Sequence, residues 1–141
     1  MSGTAATGAA SAAGGGPSAP RSLAEVRAAM HAVALWCPDE AATVTGAVAA
    51  DLMSDVLVGA RPGYVLVTGL VNLQVVRTAA ISDLAAVVFA SGKAVPADLV
   101  DLARQMQVPV LATRDTLFEA AGRLYALLGG GEAEPGARRQ A

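Results

Sequence analysis

Three short runs in the second half of the chain, "YVLVTG" (64–69), "AAVVF" (85–89) and "PVLAT" (109–113), show no alternation of apolar and polar side chains. A strand with one face in water alternates, so strands of this kind must be buried on both faces. Between them lie segments with apolar residues at helical spacing. "NLQVVRTAAIS" carries Leu73, Val76 and Ala80 on one face behind Asn72 as a cap, and "PADLVDLARQM" carries Leu99, Leu102, Ala103 and Met106. The alternation predicts an α/β fold, a small three-layer α/β/α domain with a mainly parallel sheet and crossover helices on either side.

The flanking text extends this pattern. "RSLAEVRAAMHAV" has Ser22 followed three residues later by Glu25, a capping box that starts a helix near Leu23. "ALWC" and "ATVTGAVAA" read as short strands around a "PDE" turn. "DLMSDVLVGA" places Leu52, Met53, Val56 and Leu57 on a helical face, with Asp51 as its N-cap and "RPG" as its stop. "TLFEAAGRLYALL" is a closing helix with a second capping box, Thr116 with Glu119, and a "GGG" stop.

Residues 1–20 are almost entirely Ala, Gly, Ser, Thr and Pro and carry no charge, so they cannot bury enough surface to offset chain entropy. They are expected to form a disordered tail, and 129–141 a second one, leaving 21–128 as the folded unit. The first tail lacks the basic start and continuous apolar stretch of a secretory signal. The chain of 141 residues has room for one domain. With a net charge of −2 and 4% aromatic residues it has no basic, aromatic-interleaved stripe for nucleic acid. No apolar window is long enough to span a membrane. A single cysteine, Cys37, rules out an internal disulfide and a cysteine-rich metal site. The simplest compartment is the cytoplasm, and no cofactor or metal is expected.

In a parallel sheet, ligands sit beyond the carboxyl ends of the strands, where helix N-termini present free amides. Three loops occupy that edge: "TGLVN" (68–72), "ASGKAVP" (90–96) and "TRDT" (113–116). Thr68, Gly69, Ser91, Gly92, Lys93, Thr113 and Arg114 are therefore the candidate anion-binding residues. The same loops also read as ordinary strand-to-helix turns with polar tips. "SGK" is not a nucleotide loop: a Walker A motif would need glycine at Val87 and Ser or Thr at Ala94. No dinucleotide fingerprint follows a strand either.

No catalytic constellation is visible. His31 is the only histidine, is expected on the first helix, and has no acid pair beyond Glu25. Cys37 follows Trp36 in an apolar run and reads as a buried thiol. Asp51 and Asp55 lie one turn apart, within reach of a shared cation, but Asp51 is better placed as a cap. Asp98 and Asp101 suit the start of a helix. One feature exceeds what a surface helix needs: from Leu73 to Ser82, apolar side chains cover well over half the circumference, with Val75 and Ala79 widening the main face and Ile81 lying among Gln74 and Thr78. Val75, Ala79 and Ile81 are thus the candidate surface of a symmetric homodimer, unless the first helix covers them.

The run "YVLVTGLVNLQVVRTAAISDLAAVVFASGKAVPADLVDLARQMQVPVLATRDTLFEAAGRLY" resembles the DRTGG domain family. The family pattern is a strand ending in a T-G turn, a helix, a strand ending in a glycine loop, then "P-x-x-L-x-x-L-A", "V-P-V-L-x-T" and "T-x-F-E-x-A". The preceding "ADLMSDVLVGARPG" is similar to its short stand-alone members. The family's Asp-Arg position reads Leu70-Val71 here. Its Thr-Gly-Gly position reads Ala90-Ser91-Gly92 or Ser91-Gly92-Lys93, depending on alignment. The resemblance implies a non-catalytic domain like that of HPr kinase/phosphorylase, phosphotransacetylases and regulated pyrophosphatases. Some stand-alone members resemble proteins encoded beside iron hydrogenase or complex-I-like subunits. The expected role is a non-enzymatic regulatory or scaffolding domain working through homodimerisation or a protein partner. The alternative is a sensor for a small anionic metabolite or nucleotide at the carboxyl edge of the sheet.

Overall fold

A computed structural model of the chain describes residues 20–129. The tails expected at 1–20 and 129–141 therefore lie outside the described residues, except for Pro20 and Gly129. The element order is β1 (Arg21–Ser22), α1 (Leu23–Ala29), β2 (Ala32–Trp36), β3 (Thr43–Val44), β4 (Gly46–Ala49), α2 (Met53–Gly59), β5 (Tyr64–Thr68), α3 (Leu73–Ile81), β6 (Ala86–Phe89), α4 (Ala97–Met106), β7 (Val110–Thr113) and α5 (Leu117–Leu128). The mixed α/β architecture agrees with the sequence reading, and the three apolar runs are β5, β6 and β7.

Those three strands form the middle of a five-stranded sheet of order β2-β7-β6-β5-β4. β4 through β7 are parallel, and β2 joins one edge antiparallel to β7 with a register shift between Ala34 and Trp36. β1 and β3 make a separate two-stranded antiparallel ribbon. The strands around the "PDE" turn are thus parted to opposite ends of the sheet, β2 at one edge and β4 at the other.

Successive residues of the central strands supply two cores, as the period of two requires. Val65, Val67, Ala86, Val88, Ala90 and Leu111 pack with Leu23, Val26 and Met30 of the α1 region and with Ala120 and Leu124 of α5. Leu66, Val87, Phe89 and Val110 pack on the other face with Val56 of α2, Val75, Val76 and Ala79 of α3, and Leu99 and Ala103 of α4. Each layer removes a set of branched aliphatic side chains from water, worth roughly 1.5–3 kcal/mol apiece before entropy is counted.

Helices lie on either side of the sheet, but the three crossover helices share one face. Strand order runs steadily from β4 to β7, and crossovers of one hand that advance in one direction lie on one face. Accordingly α2, α3 and α4 all cover the second core, and the first is closed by α1 and α5. This also explains the wide apolar arc of α3. It is the middle helix of three, packed on the sheet and between α2 and α4. Val75 and Ala79 are fully buried inside the protomer and cannot form a dimer surface, whereas Ile81 is 76% exposed. The outward residues of α3 are Gln74, Arg77 and Ile81. The first helix lies across the sheet from α3 and does not cover it.

Local signals are matched closely at two helices. Ser22 and Glu25 form the capping box of α1, and Thr116 and Glu119 that of α5, which stops at Gly129 with φ 78°. Asn72 caps α3 by accepting from the Val75 amide at 3.1 Å. The capping of α2 differs: its N-cap is Leu52, without a side-chain cap. Leu52 and Leu57 are also exposed, leaving Val56 as the buried anchor of that helix. No helix among the described residues is long and apolar enough to cross a membrane.

Candidate functional site

The carboxyl edge of the parallel strands gathers four loops. The one not foreseen follows β4 and carries Asp51. Freed from capping α2, Asp51 Oδ1 accepts from the Thr68 hydroxyl at 3.0 Å and from the Gly69 amide at 2.7 Å. This joins the loop after β4 to the loop after β5. Lys93, from the loop after β6, donates through Nζ to the Gly69 carbonyl.

The next joint runs from β6 to β7. Ser91 and Gly92 are both left-handed, at φ 71° and 65°, and form the tight turn at the end of β6. Glycine adopts that conformation without the penalty a Cβ imposes. The turn aims the Ser91 amide at the Asp115 carbonyl, 2.7 Å away, and the Gly92 amide at the Thr113 carbonyl, 2.9 Å away. These two loops diverge beyond that point, to α4 on one face and α5 on the other. A crevice at such a divergence is a usual ligand position in α/β sheets. Here backbone hydrogen bonds bridge it.

Two threonines end their strands in the same way. Thr68 accepts the Leu70 amide at 3.1 Å and Thr113 the Asp115 amide at 3.1 Å, each two residues ahead. Thr68 donates to Asp51, and Thr113 donates to the Met30 carbonyl at 2.8 Å. Both are buried. The Thr113 bond ties β7 to the turn that leads into β2. That turn holds His31, which lies after the end of α1 in a left-handed conformation, φ 53°, rather than on the helix. Its Nδ1 is 3.7 Å from Asp115 Oδ2, which also accepts from Arg123 Nε at 2.8 Å.

The seven candidate residues therefore separate. The hydroxyls of Thr68 and Thr113 and the amides of Gly69, Ser91 and Gly92 are spent on bracing the edge, so no open amide cradle is formed by them. The Ser91 hydroxyl and the side chains of Lys93 and Arg114 remain exposed and able to meet an anion. Arg114 packs its Cγ near Gly92 and makes no ion pair among the described residues. Asp51, Asp115 and His31 are the additions to this edge. Asp51 was legible only to a reader who had already paired β4 parallel to β5. Arg123, a turn and more along α5, is placed by Asp115 rather than by any motif.

Cys37 sits apart, past the far end of β2 at the opposite edge. Its side chain is half-buried rather than buried, and desolvation, and then the nearby Glu40 carboxylate, push its thiol above the ordinary range. Glu40 itself is engaged by Arg27 at 2.9 Å. Asp101 pairs with Arg104 at 3.3 Å, and Asp98 lies in the first turn of α4.

Among solved structures the chain is similar to the CBS and DRTGG domains of the regulatory region of Clostridium perfringens pyrophosphatase, a structure in complex with the activator diadenosine tetraphosphate. The TM-score is 0.65 at 15% sequence identity, over 81% of this chain. The match covers 51% of that structure's chain, so this chain spans about half its length. No family model and no curated protein matches the sequence. At that identity the likeness is one of fold: an α/β domain of the kind found in that regulatory region.

Proposed function

We propose that the chain is a non-enzymatic regulatory or scaffolding domain that works through a protein interface, formed most simply with a second copy. The observation that carries this reading is the outer face of α5. Phe118 is 88% exposed and Tyr125 62% exposed, and they lie seven residues apart on one side of the helix. Gly122 lies between them, with nothing within 4 Å of the place its side chain would occupy. Aromatic residues with a glycine between them let a second helix approach closely and bury two rings, the residue type most enriched at interface centres. Packed about a two-fold axis, the same three residues meet their own copies.

The regulatory character draws support from the edge chemistry and the fold. The polar groups of the carboxyl edge brace loops to one another, and "SGK" lacks the positions a phosphate-transferring loop needs. The fold likeness is to a regulatory region rather than to a catalytic one. A partner from a hydrogenase or another redox complex, the association that the family resemblance suggests, is the other occupant of the same face.

Light scattering over a range of concentrations tests the interface. The intact chain is expected to reach the mass of a dimer at high micromolar concentration. Phe118→Lys should return it to the monomer, while Ile81→Lys, on the far layer, should not. A strictly monomeric chain at high concentration, with no partner captured through α5, sinks the reading.

A second reading, a sensor of a small anionic metabolite or nucleotide, is favoured by Lys93 and Arg114 flanking Gly92 on an edge already braced in shape. The activator bound in the neighbour's structure belongs to the same ligand class. Stabilisation by a ligand at a hundredfold excess over Kd would be about 2.7 kcal/mol, readily seen in a melting curve.

A further inference from the structure

The two edge strands of the sheet differ in how they meet solvent. β2 bears a register shift between Ala34 and Trp36, the kind of irregularity that turns an edge away from other strands. β4, at the other edge, reads Gly-Ala-Val-Ala and has no charge, no proline and no shift in register. The Thr45 amide donates to the Gly63 carbonyl at 3.0 Å, on the side of β5. By the alternation of a strand, Ala47 and Ala49 also turn their backbone groups to β5. Gly46 and Val48 then direct N–H and C=O outward, where they have no partner among the described residues. The aromatic flank of α5 lies at this same edge. The helix covers β4 and β5, with α1 beside it. Arg123 reaches Asp115 and the neighbourhood of His31, on the α1 side. With 3.6 residues per turn, Phe118 and Tyr125 stand roughly 140° and 160° around the helix from Arg123, on the flank towards β4.

We infer that β4 pairs antiparallel with β4 of a second copy about a two-fold axis at Ala47, perpendicular to the sheet, and so joins two five-stranded sheets into one. Gly46 and Val48 exchange backbone hydrogen bonds with Val48 and Gly46 of the second copy, and Ala47 faces its own counterpart. This axis keeps α5 and its copy on one face, so Phe118, Gly122 and Tyr125 meet over the seam. The inference rests on the α5 interface proposed above and supplies what that interface lacks. A buried phenylalanine or tyrosine contributes roughly 150–250 Å², so the two rings give at most about 500 Å² per protomer, short of the roughly 800 Å² of a standard interface. The strand beside them makes up the difference. Ala47 packs into the core layer beneath α5, so on that face the seam is lined by a small side chain that lets the helices close. A row of outward amides and carbonyls is satisfied by another strand, and a second β4 is the strand that brings a second α5 with it.

Disulfide trapping of the full chain reads the seam, with Cys37→Ser removing the native thiol. At the axis the two Ala47 Cα atoms would lie about 4.5 Å apart, within disulfide range. Ala47→Cys should therefore cross-link to its own copy under mild oxidation. Ala49→Cys, carried two residues away from the axis on each strand, should not. Adding Phe118→Lys to Ala47→Cys should abolish the cross-link. Val48→Pro removes an outward donor at a position where an edge strand accepts proline. It should weaken dimerisation in light scattering at least about tenfold, the scale of two hydrogen bonds lost across the symmetric seam. The cysteine variants carry the same test without a proline, so a folding defect in Val48→Pro does not decide it. If the native chain dimerises and Phe118→Lys dissolves the dimer, yet Ala47→Cys stays uncross-linked or Ala49→Cys cross-links as readily, the strand pairing is wrong and the α5 interface stands. If the native chain is monomeric at high micromolar concentration, both fall together.

Discussion

Thr113 shows how much of the carboxyl edge rests on single hydroxyls. Buried at the end of β7, it accepts the Asp115 amide and donates to the Met30 carbonyl, so it fixes both the loop after β7 and the turn before β2. Valine has nearly the same shape but neither function, and would leave a buried carbonyl and an amide without partners. Thr113→Val should cost about 1–3 kcal/mol, read as a lower denaturant midpoint with an unchanged slope. Thr113→Ser, which keeps the hydroxyl, should lose less. A valine variant as stable as the parent would show that the edge is not braced there. Asp51 makes the same point from the other side: as a helix cap its loss would disturb only α2, but as a bridge it holds two loops together. Nothing in the local text distinguishes these roles, because the bridge exists only once β4 has paired with β5, eighteen residues later in the chain.

At the level of elements, legibility follows the range of the interaction that makes each one. Helix α1 was legible because its start depends on residues three apart: the Glu25 amide donates to Ser22 Oγ at 3.1 Å, and Glu25 Oε1 accepts the Ser22 amide at 2.9 Å. That bond from the Ser22 backbone is the main cause that lowers the carboxyl of Glu25, with Arg21 adding to it. A carboxyl with a folded-state value below its unfolded one stabilises the fold above the unfolded value and loses that contribution as pH falls through the folded one. The stability difference between the native chain and Glu25→Gln should therefore be full near neutrality and vanish at acid pH; a difference independent of pH would remove the box from the account. Strands β5, β6 and β7 were legible because burial on both faces writes itself into composition. The position of α3 between α2 and α4 was not, since an arc of apolar residues reports how much surface is covered and not what covers it. A dimer surface and two flanking helices leave the same trace in Val75 and Ala79. The steady strand order that put three helices on one face is likewise a long-range property.

For the whole molecule, the layer arrangement decides which surfaces are left over. Three helices close one face of the sheet, but α1 and α5 alone close the other, so α5 keeps a long outer side in contact with solvent. On that side Gly122 is costly by itself: a glycine in a helix interior destabilises it by about 0.5–1 kcal/mol relative to alanine, and here no neighbour forbids a side chain. A monomer gains nothing from it, whereas a helix pair needs it. Gly122→Leu therefore sets the two requirements against each other. Sedimentation velocity of the full chain and of Gly122→Leu, with melting curves taken at a dilution where both are monomeric, tests the proposed interface most directly. The account predicts that the native chain shifts towards a dimer as concentration rises, while Gly122→Leu stays monomeric and melts a few degrees higher. A native chain that sediments as a monomer throughout, or a leucine variant that associates as the native chain does, would contradict it.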